Sequence, residues 1–181
     1  MFLVIDLEAT CSPDGAFPRE EMETIEIGAV LVDGDSLEAV DEFQSFVRPE
    51  VHPTLTEYCI ELTSITQAEV DAAPSFPEAM ARFAEWRDGR PACFSSWGRF
   101  DRSQFRRDCL RHGIDNPFAD EHLDLKARFS EVHRKRHRYG MARALAMCGL
   151  SIEGNHHRGI DDARNIARML PFIEGGRPLG G

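Results

Sequence analysis

The sequence predicts an α/β domain built on a mixed β-sheet. Three observations point there. Three extended, apolar-rich segments come first, two of them joined by an acidic-glycine turn. Helix-patterned segments with recognisable caps then alternate with short apolar runs. The length, 181 residues, suits one domain with a full core.

Residues 2–8 open with an unbroken apolar run, which reads as a strand buried on both faces. Residues 12–23 form a loop rich in proline, glycine and charge. Residues 24–32 (TIEIGAVLV) and 39–47 (AVDEFQSFV) read as two further strands. Val32-Asp33-Gly34-Asp35 between them has hairpin chemistry, so the sheet starts antiparallel. Ser75 is a helix N-cap with Pro77 early in the first turn, and that helix runs to about Trp86. Residues 91–95 form a short strand, and 101–112 a helix stopped by Gly113. Residues 123–125 supply a last short strand, followed by helices over 126–136 and 140–148 and one continuous final helix over 161–172. Residues 175–181 read as a loose tail, which leaves 1–174 as a single domain.

No apolar stretch is long enough to span a bilayer, and no basic segment precedes the first strand, so neither a membrane partner nor a signal peptide is expected. Cys11, Cys59, Cys93, Cys109 and Cys148 are odd in number and form no Cys-x-x-Cys pair. Reduced thiols in a cytoplasmic protein are expected, and a structural zinc site is not. The net charge of −10 is unevenly spread. Residues 1–80 carry two basic and eighteen acidic side chains, or −16, and residues 81–181 carry nineteen against thirteen, or +6. The basic half holds two clusters, Arg99, Arg102, Arg106, Arg107 and Arg111, and then Arg134, Lys135, Arg136, His137 and Arg138. Charge runs are usually solvated helix faces. The split also suits a phosphate-binding surface beside an acidic, cation-loading one.

Asp6 and Glu8 stand two apart at the end of the first strand and share a face. Two like charges there repel and lose hydration, and a divalent cation between them resolves both problems. The alternative is a pair of solvated acids where the strand emerges. Asp101 opens a helix on which Phe105 and Cys109 share its face, so it points toward the sheet. It can equally be a favourable first-turn acid. In His156-His157-Arg158-Gly159-Ile160-Asp161-Asp162, both His–Asp pairings are offset by five. Helical angles separate the acids: Asp162 lies inside the apolar arc of Ile160, Ala163, Ile166 and Met169, and Asp161 lies opposite. A partner histidine must then sit in the preceding loop, where His157 stands.

Together these pieces resemble the DEDDh 3′–5′ exonuclease superfamily, which includes RNase T and the proofreading subunit of DNA polymerase III. The match is Asp6-x-Glu8, then Asp101, then His157-x-x-x-x-Asp162, over residues 2–173. The runs DLEATC (6–11), IEIG (25–28), LTSITQ (62–67) and GIDDARNIAR (159–168) look closer to the enhanced-RNAi and histone-mRNA 3′-end exonucleases and their bacterial relatives. One departure is Ser64, where that pattern has glycine.

The resemblance implies a ribonuclease H-like fold, a five-stranded mixed sheet flanked by helices on both faces. It implies two divalent ions, Mg²⁺ or Mn²⁺, held by Asp6, Glu8, Asp101 and Asp162, with Glu8 counted among the catalytic groups and His157 as general base. By the same resemblance Glu8 and Ala9 hold the terminal 3′-hydroxyl, and Leu62 and Thr63 border the terminal base. Trp97 near Asp101 can stack on a base or sit in the core. The expected partner is a single-stranded nucleic acid 3′ end, RNA before DNA, with no obligate protein partner. The competing readings are a non-catalytic nucleic-acid-binding module, a polymerase proofreading partner, and a small-molecule phosphohydrolase.

Overall fold

The computed structural model describes residues 1–13, 15–118 and 121–180. The last residue of the expected tail and one residue of the expected 12–23 loop therefore lie outside the described residues. Five strands form one sheet in the order β3-β2-β1-β4-β5. They are β1 (Phe2–Ala9), β2 (Thr24–Val32), β3 (Ala39–Phe46), β4 (Cys93–Ser96) and β5 (Leu123–Asp124). β1, β2 and β3 pair antiparallel, and β4 and β5 add in parallel beyond β1, so the sheet is mixed as expected.

Eight helices surround it among the described residues: α1 (Glu57–Thr63), α2 (Gln67–Asp71), α3 (Phe76–Arg87), α4 (Phe100–His112), α5 (Leu125–Val132), α6 (Met141–Met147), α7 (Gly159–Ala167) and α8 (Leu170–Ile173). No helix among them is long and apolar enough to cross a membrane. Strand alternation divides the core. Leu3, Ile5 and Leu7 pack with Phe76, Phe83 and Phe105 of α3 and α4 on one face. Val4, Val30 and Val32 pack with Leu145, Ile160 and Ile166 of α6 and α7 on the other. A satellite cluster of Ile25, Cys59, Ile65 and Val70 seats α1 and α2.

Several boundaries follow from cap chemistry. Ser75 and Glu78 form a reciprocal capping box at the start of α3. Gly113 ends α4 in the left-handed region at φ 63, with Ile114 N donating to Cys109 O. Other expectations need correction. α5 stops at Val132 rather than near 136, because Arg134 takes the left-handed position at φ 51 and Lys135 N donates to Ser130 O, which closes a Schellman turn. The final helix is two helices: Pro171 has no N–H to offer Ala167 O, so α7 ends and α8 restarts at Leu170. The 3₁₀ turn Arg19–Glu21 lies inside the expected 12–23 loop, and α1 and α2 lie in a stretch to which the sequence reading assigned no element. At the C-terminal end, Arg177 N donates to Pro171 O and Leu179 packs against the α6–α7 cluster.

Candidate active site

Asp6 and Glu8 continue the Val4 row, on the sheet face that α7 covers. In register, Asp6 pairs with Gly28 and Glu8 with Glu26 on β2. That register aims the end of β1 at the start of α7. Gly159 packs directly on Gly28, which lets α7 deliver Asp162 beside the strand acids. One carboxylate oxygen from each of Asp6, Glu8 and Asp162 lies within 4.8 Å of the others. Asp101 enters from the far side of the sheet end. Its Oδ1 accepts a hydrogen bond from Leu7 N at 3.0 Å, and it is 4% exposed. The cleft that joins them, about 260 Å³, is lined by Asp6, Leu7, Glu8, Trp97, Phe100, Asp101, Met141, His156, His157 and Asp162.

The electrostatics are those of buried acids crowded together. No Lys or Arg is among the residues lining the cleft. Burial, and then the Asp101, Glu8 and Asp162 charges, push Asp6 well above the carboxylate range. Glu8 rises to about 9, chiefly by burial and then by Asp162 and Glu26. Asp101 rises to about 6 through burial, opposed by the Leu7 N–H. Asp162 is raised by burial against the pull of His156 and of its backbone bonds. Hard oxygen donors converging with no lysine or arginine among the lining residues are the donor set that Mg²⁺ and Mn²⁺ prefer, so the residues present fit such ions.

His157 sits in the turn before α7, and its main-chain N donates to Asp162 Oδ2 at 3.1 Å. Its imidazole pKa lies below the usual value because of burial and the adjacent His156. The sequence-derived orientations hold: Asp162 is buried, while Asp161 faces outward and accepts from Asn155 N and Arg164. Trp97 is partly in the core. Its Nε1 donates to Tyr139 O at 3.1 Å and its ring packs on Phe129, yet it also borders the cleft.

Three expected residues are not among those lining the cleft. Ala9 is buried, with its carbonyl facing Cys59 Sγ. Thr63 is buried at the end of α1, where its hydroxyl donates to Cys59 O, and Leu62 precedes it, half-buried. The basic clusters divide. Arg111 is tied to Asp108 and to the carbonyls of Glu20 and Met22, a structural role. Arg99 and Arg138 instead converge on Asp124, at 3.8 and 3.7 Å, from the segments that carry Trp97 and Met141.

Two residues were missed. Glu26, fully buried, accepts from Arg158 Nε at 3.1 Å, Gly159 N at 2.9 Å and Gln44 Nε2 at 2.6 Å, and so clamps the loop that carries His157. The available signal was an acid inside the otherwise apolar run TIEIGAVLV. His156 bonds Asp162 Oδ2 through Nδ1 at 2.9 Å. Its signal was simply the histidine doublet.

Comparison with known proteins places the fold and sequence in one family. A family described as exonuclease (RNase T) matches residues 3–170. The 3′-5′ exoribonuclease 1 of Rattus norvegicus is 35% identical over 176 residues, covering 92% of this chain and 50% of that protein. The probable 3′-5′ exonuclease KapD of Bacillus subtilis is 31% identical over 174 residues, covering 95% of this chain and 83% of that one. The solved nuclease domain of 3′hExo, a DEDDh family member bound to rAMP, superposes with a TM-score of 0.88 at 28% identity, covering 99% and 96% of the two chains. The chain spans about half the length of the rat relative. With the fold, the ordered acids and the match over nearly its whole length in agreement, the chain belongs to the RNase T exonuclease family.

Proposed function

We propose that residues 1–174 form a metal-dependent 3′–5′ exonuclease domain, with 175–181 as its tail, that releases nucleoside 5′-monophosphates from single-stranded 3′ ends, RNA before DNA. The observation that carries this reading is the convergence of Asp6, Glu8 and Asp162 on one point, with Asp101 and His157 at the same cleft. Relatives named as 3′-5′ exoribonucleases support it.

Two divalent cations, Mg²⁺ or Mn²⁺, would supply charge stabilisation at the scissile phosphate and at the leaving 3′ oxygen. Asp6 would hold both, Glu8 and Asp162 would complete the first position, and Asp101 the second. His157 accepts the proton of the attacking water at a ring nitrogen. Its burial suits the task, because a lowered pKa keeps the ring neutral at working pH. Glu8 and Ala9 receive the terminal 3′-hydroxyl, Leu62 and Thr63 border the terminal base, and Trp97 offers a stacking face. Arg99 and Arg138, with side chains 77% and 57% exposed, stand ready for the phosphates upstream.

A time course on 5′-end-labelled single-stranded RNA and DNA, with and without Mn²⁺, tests the reading. Stepwise shortening from the 3′ end, lost in Asp6→Asn, is the expected result, and RNA is consumed faster. Intact oligonucleotide in the presence of either ion overturns it.

A further inference from the structure

The turn before α7 holds a second constellation that the carboxylate chemistry does not use. His156, His157 and Asp162 each present one ligand atom, and these atoms lie within 4.8 Å of one another. Consecutive residues of an extended chain point to opposite sides. Here His157 adopts φ 66, a left-handed conformation that residues other than glycine rarely take. The two imidazoles therefore lie side by side, 4.0 Å between centroids and 16° between planes. His156 Nδ1 reaches both Asp162 oxygens, at 2.9 and 3.2 Å. Solvent reaches the group, since the His156 side chain is 39% exposed, whereas that of Asp162 is 7% exposed.

We propose that His156, His157 and Asp162 form a distinct inhibitory site for Zn²⁺. Two imidazoles and one carboxylate make a nitrogen-rich set that favours Zn²⁺ over the hard ions, whereas Asp6, Glu8 and Asp162 favour Mg²⁺ or Mn²⁺. Asp162 belongs to both sets, so the two kinds of ion compete for it. Binding forms Zn–N bonds with neutral imidazole lone pairs and a Zn–O bond with the carboxylate, and breaks the His156–Asp162 hydrogen bond. No electron is transferred. The consequence for turnover rests on the function proposed above: a zinc-bound His157 has no lone pair left for the proton of the attacking water. His156 is then a sensor beside the reaction rather than a participant in it.

The test uses the intact chain, with metal binding and turnover read separately. Equilibrium dialysis with Zn²⁺, and the visible spectrum with Co²⁺ as a stand-in, measure the site without turnover. X-ray absorption at the zinc edge of the unaltered protein counts imidazole ligands and needs no variant. Two imidazoles, together with Zn²⁺ inhibition of the Mg²⁺-driven reaction that weakens about tenfold or more in His156→Ala, are expected. A zinc edge without imidazole, or equal inhibition of the variant, overturns the proposal by placing zinc among the carboxylates alone. Absence of nuclease activity in zinc-free buffer would sink the functional reading, while the spectra and dialysis would still decide the site.

Discussion

Gly28 on β2 and Gly159 at the start of α7 meet backbone to backbone. A Cβ on Gly28 would stand 2.1 Å from the Gly159 carbonyl carbon, and a Cβ on Gly159 would stand 2.9 Å from Asp6 O. Since Gly28 is the register partner of Asp6, this contact sets how near α7 comes to the strand acids. Gly28→Ala must push the helix off the sheet. Overpacking of this kind costs about 1–3 kcal/mol, and here backbone rather than a flexible side chain has to move. We expect a lower urea midpoint and, by calorimetry, weaker Mn²⁺ binding. An unchanged midpoint would mean that the helix does not bear on β2.

Much of this arrangement was legible. The β2–β3 hairpin follows from its turn, and the ends of α3 and α4 follow from Ser75 and Gly113, because those residues act through local chemistry alone. The inward turn of Asp162 follows from helical angles within one apolar arc. What stayed hidden depends on contacts or on backbone rotation. α1 and α2, of 7 and 5 residues, are too short to show a helical period, and their local marks were a threonine N-cap each, Thr56 for α1 and Thr66 with its Glu69 capping box for α2. Glu26 has no partner near it in sequence, since Arg158 lies 132 positions away. Nothing in residue pattern announces the left-handed His157 that turns the His156 ring beside it.

Ser64 caps α1 at φ 59, the conformation that the expected glycine adopts without strain. It is exposed, so the hydroxyl does not repay the strain through burial. Ser64→Gly should therefore stabilise the chain by about 1 kcal/mol, despite the extra freedom that glycine has in the unfolded state. Chemical denaturation measures this, and a destabilised variant would show that the serine side chain matters to the turn.

Glu26 gathers three donors in a site that water does not reach. In Glu26→Ala the Gly159 N–H loses its partner, and the Arg158 guanidinium, stacked 5.0 Å over Phe46, loses its counter-charge. Breaking a buried pair from one side costs about 3–5 kcal/mol. Glu26→Gln keeps the shape and should cost less. Both variants loosen the loop that carries His157, so activity should fall further than the folded fraction does, a difference visible when the two are measured on one sample. Loss in strict proportion to unfolding would confine Glu26 to stability.

The clustered acids also predict how stability responds to pH and to metal. In the unfolded chain these carboxyls titrate near 4. In the fold, Asp101 lies at about 6, Glu8 at about 9, and Asp6 and Asp162 are both raised. Between the unfolded and folded values the native chain holds more protons than the unfolded one, so stability falls as pH rises. With a chelator present, the melting midpoint should decline from pH 5, with the Asp101 part spent by about pH 6 and the Glu8 part continuing to about pH 9. His122, His133 and His157, all depressed below the usual value by burial, work the other way in the window below 6.5, so the decline should be clearest above it, where the Glu8 part remains. Divalent cations bind the deprotonated set, so Mn²⁺ should raise the midpoint more at pH 8 than at pH 5. Asp6→Asn removes one repelling charge and one ligand together. At pH 8 it should melt higher than the parent chain in chelator and gain less from Mn²⁺, a crossing that scanning fluorimetry would reveal. A flat profile in chelator would mean that the acids do not share one buried field.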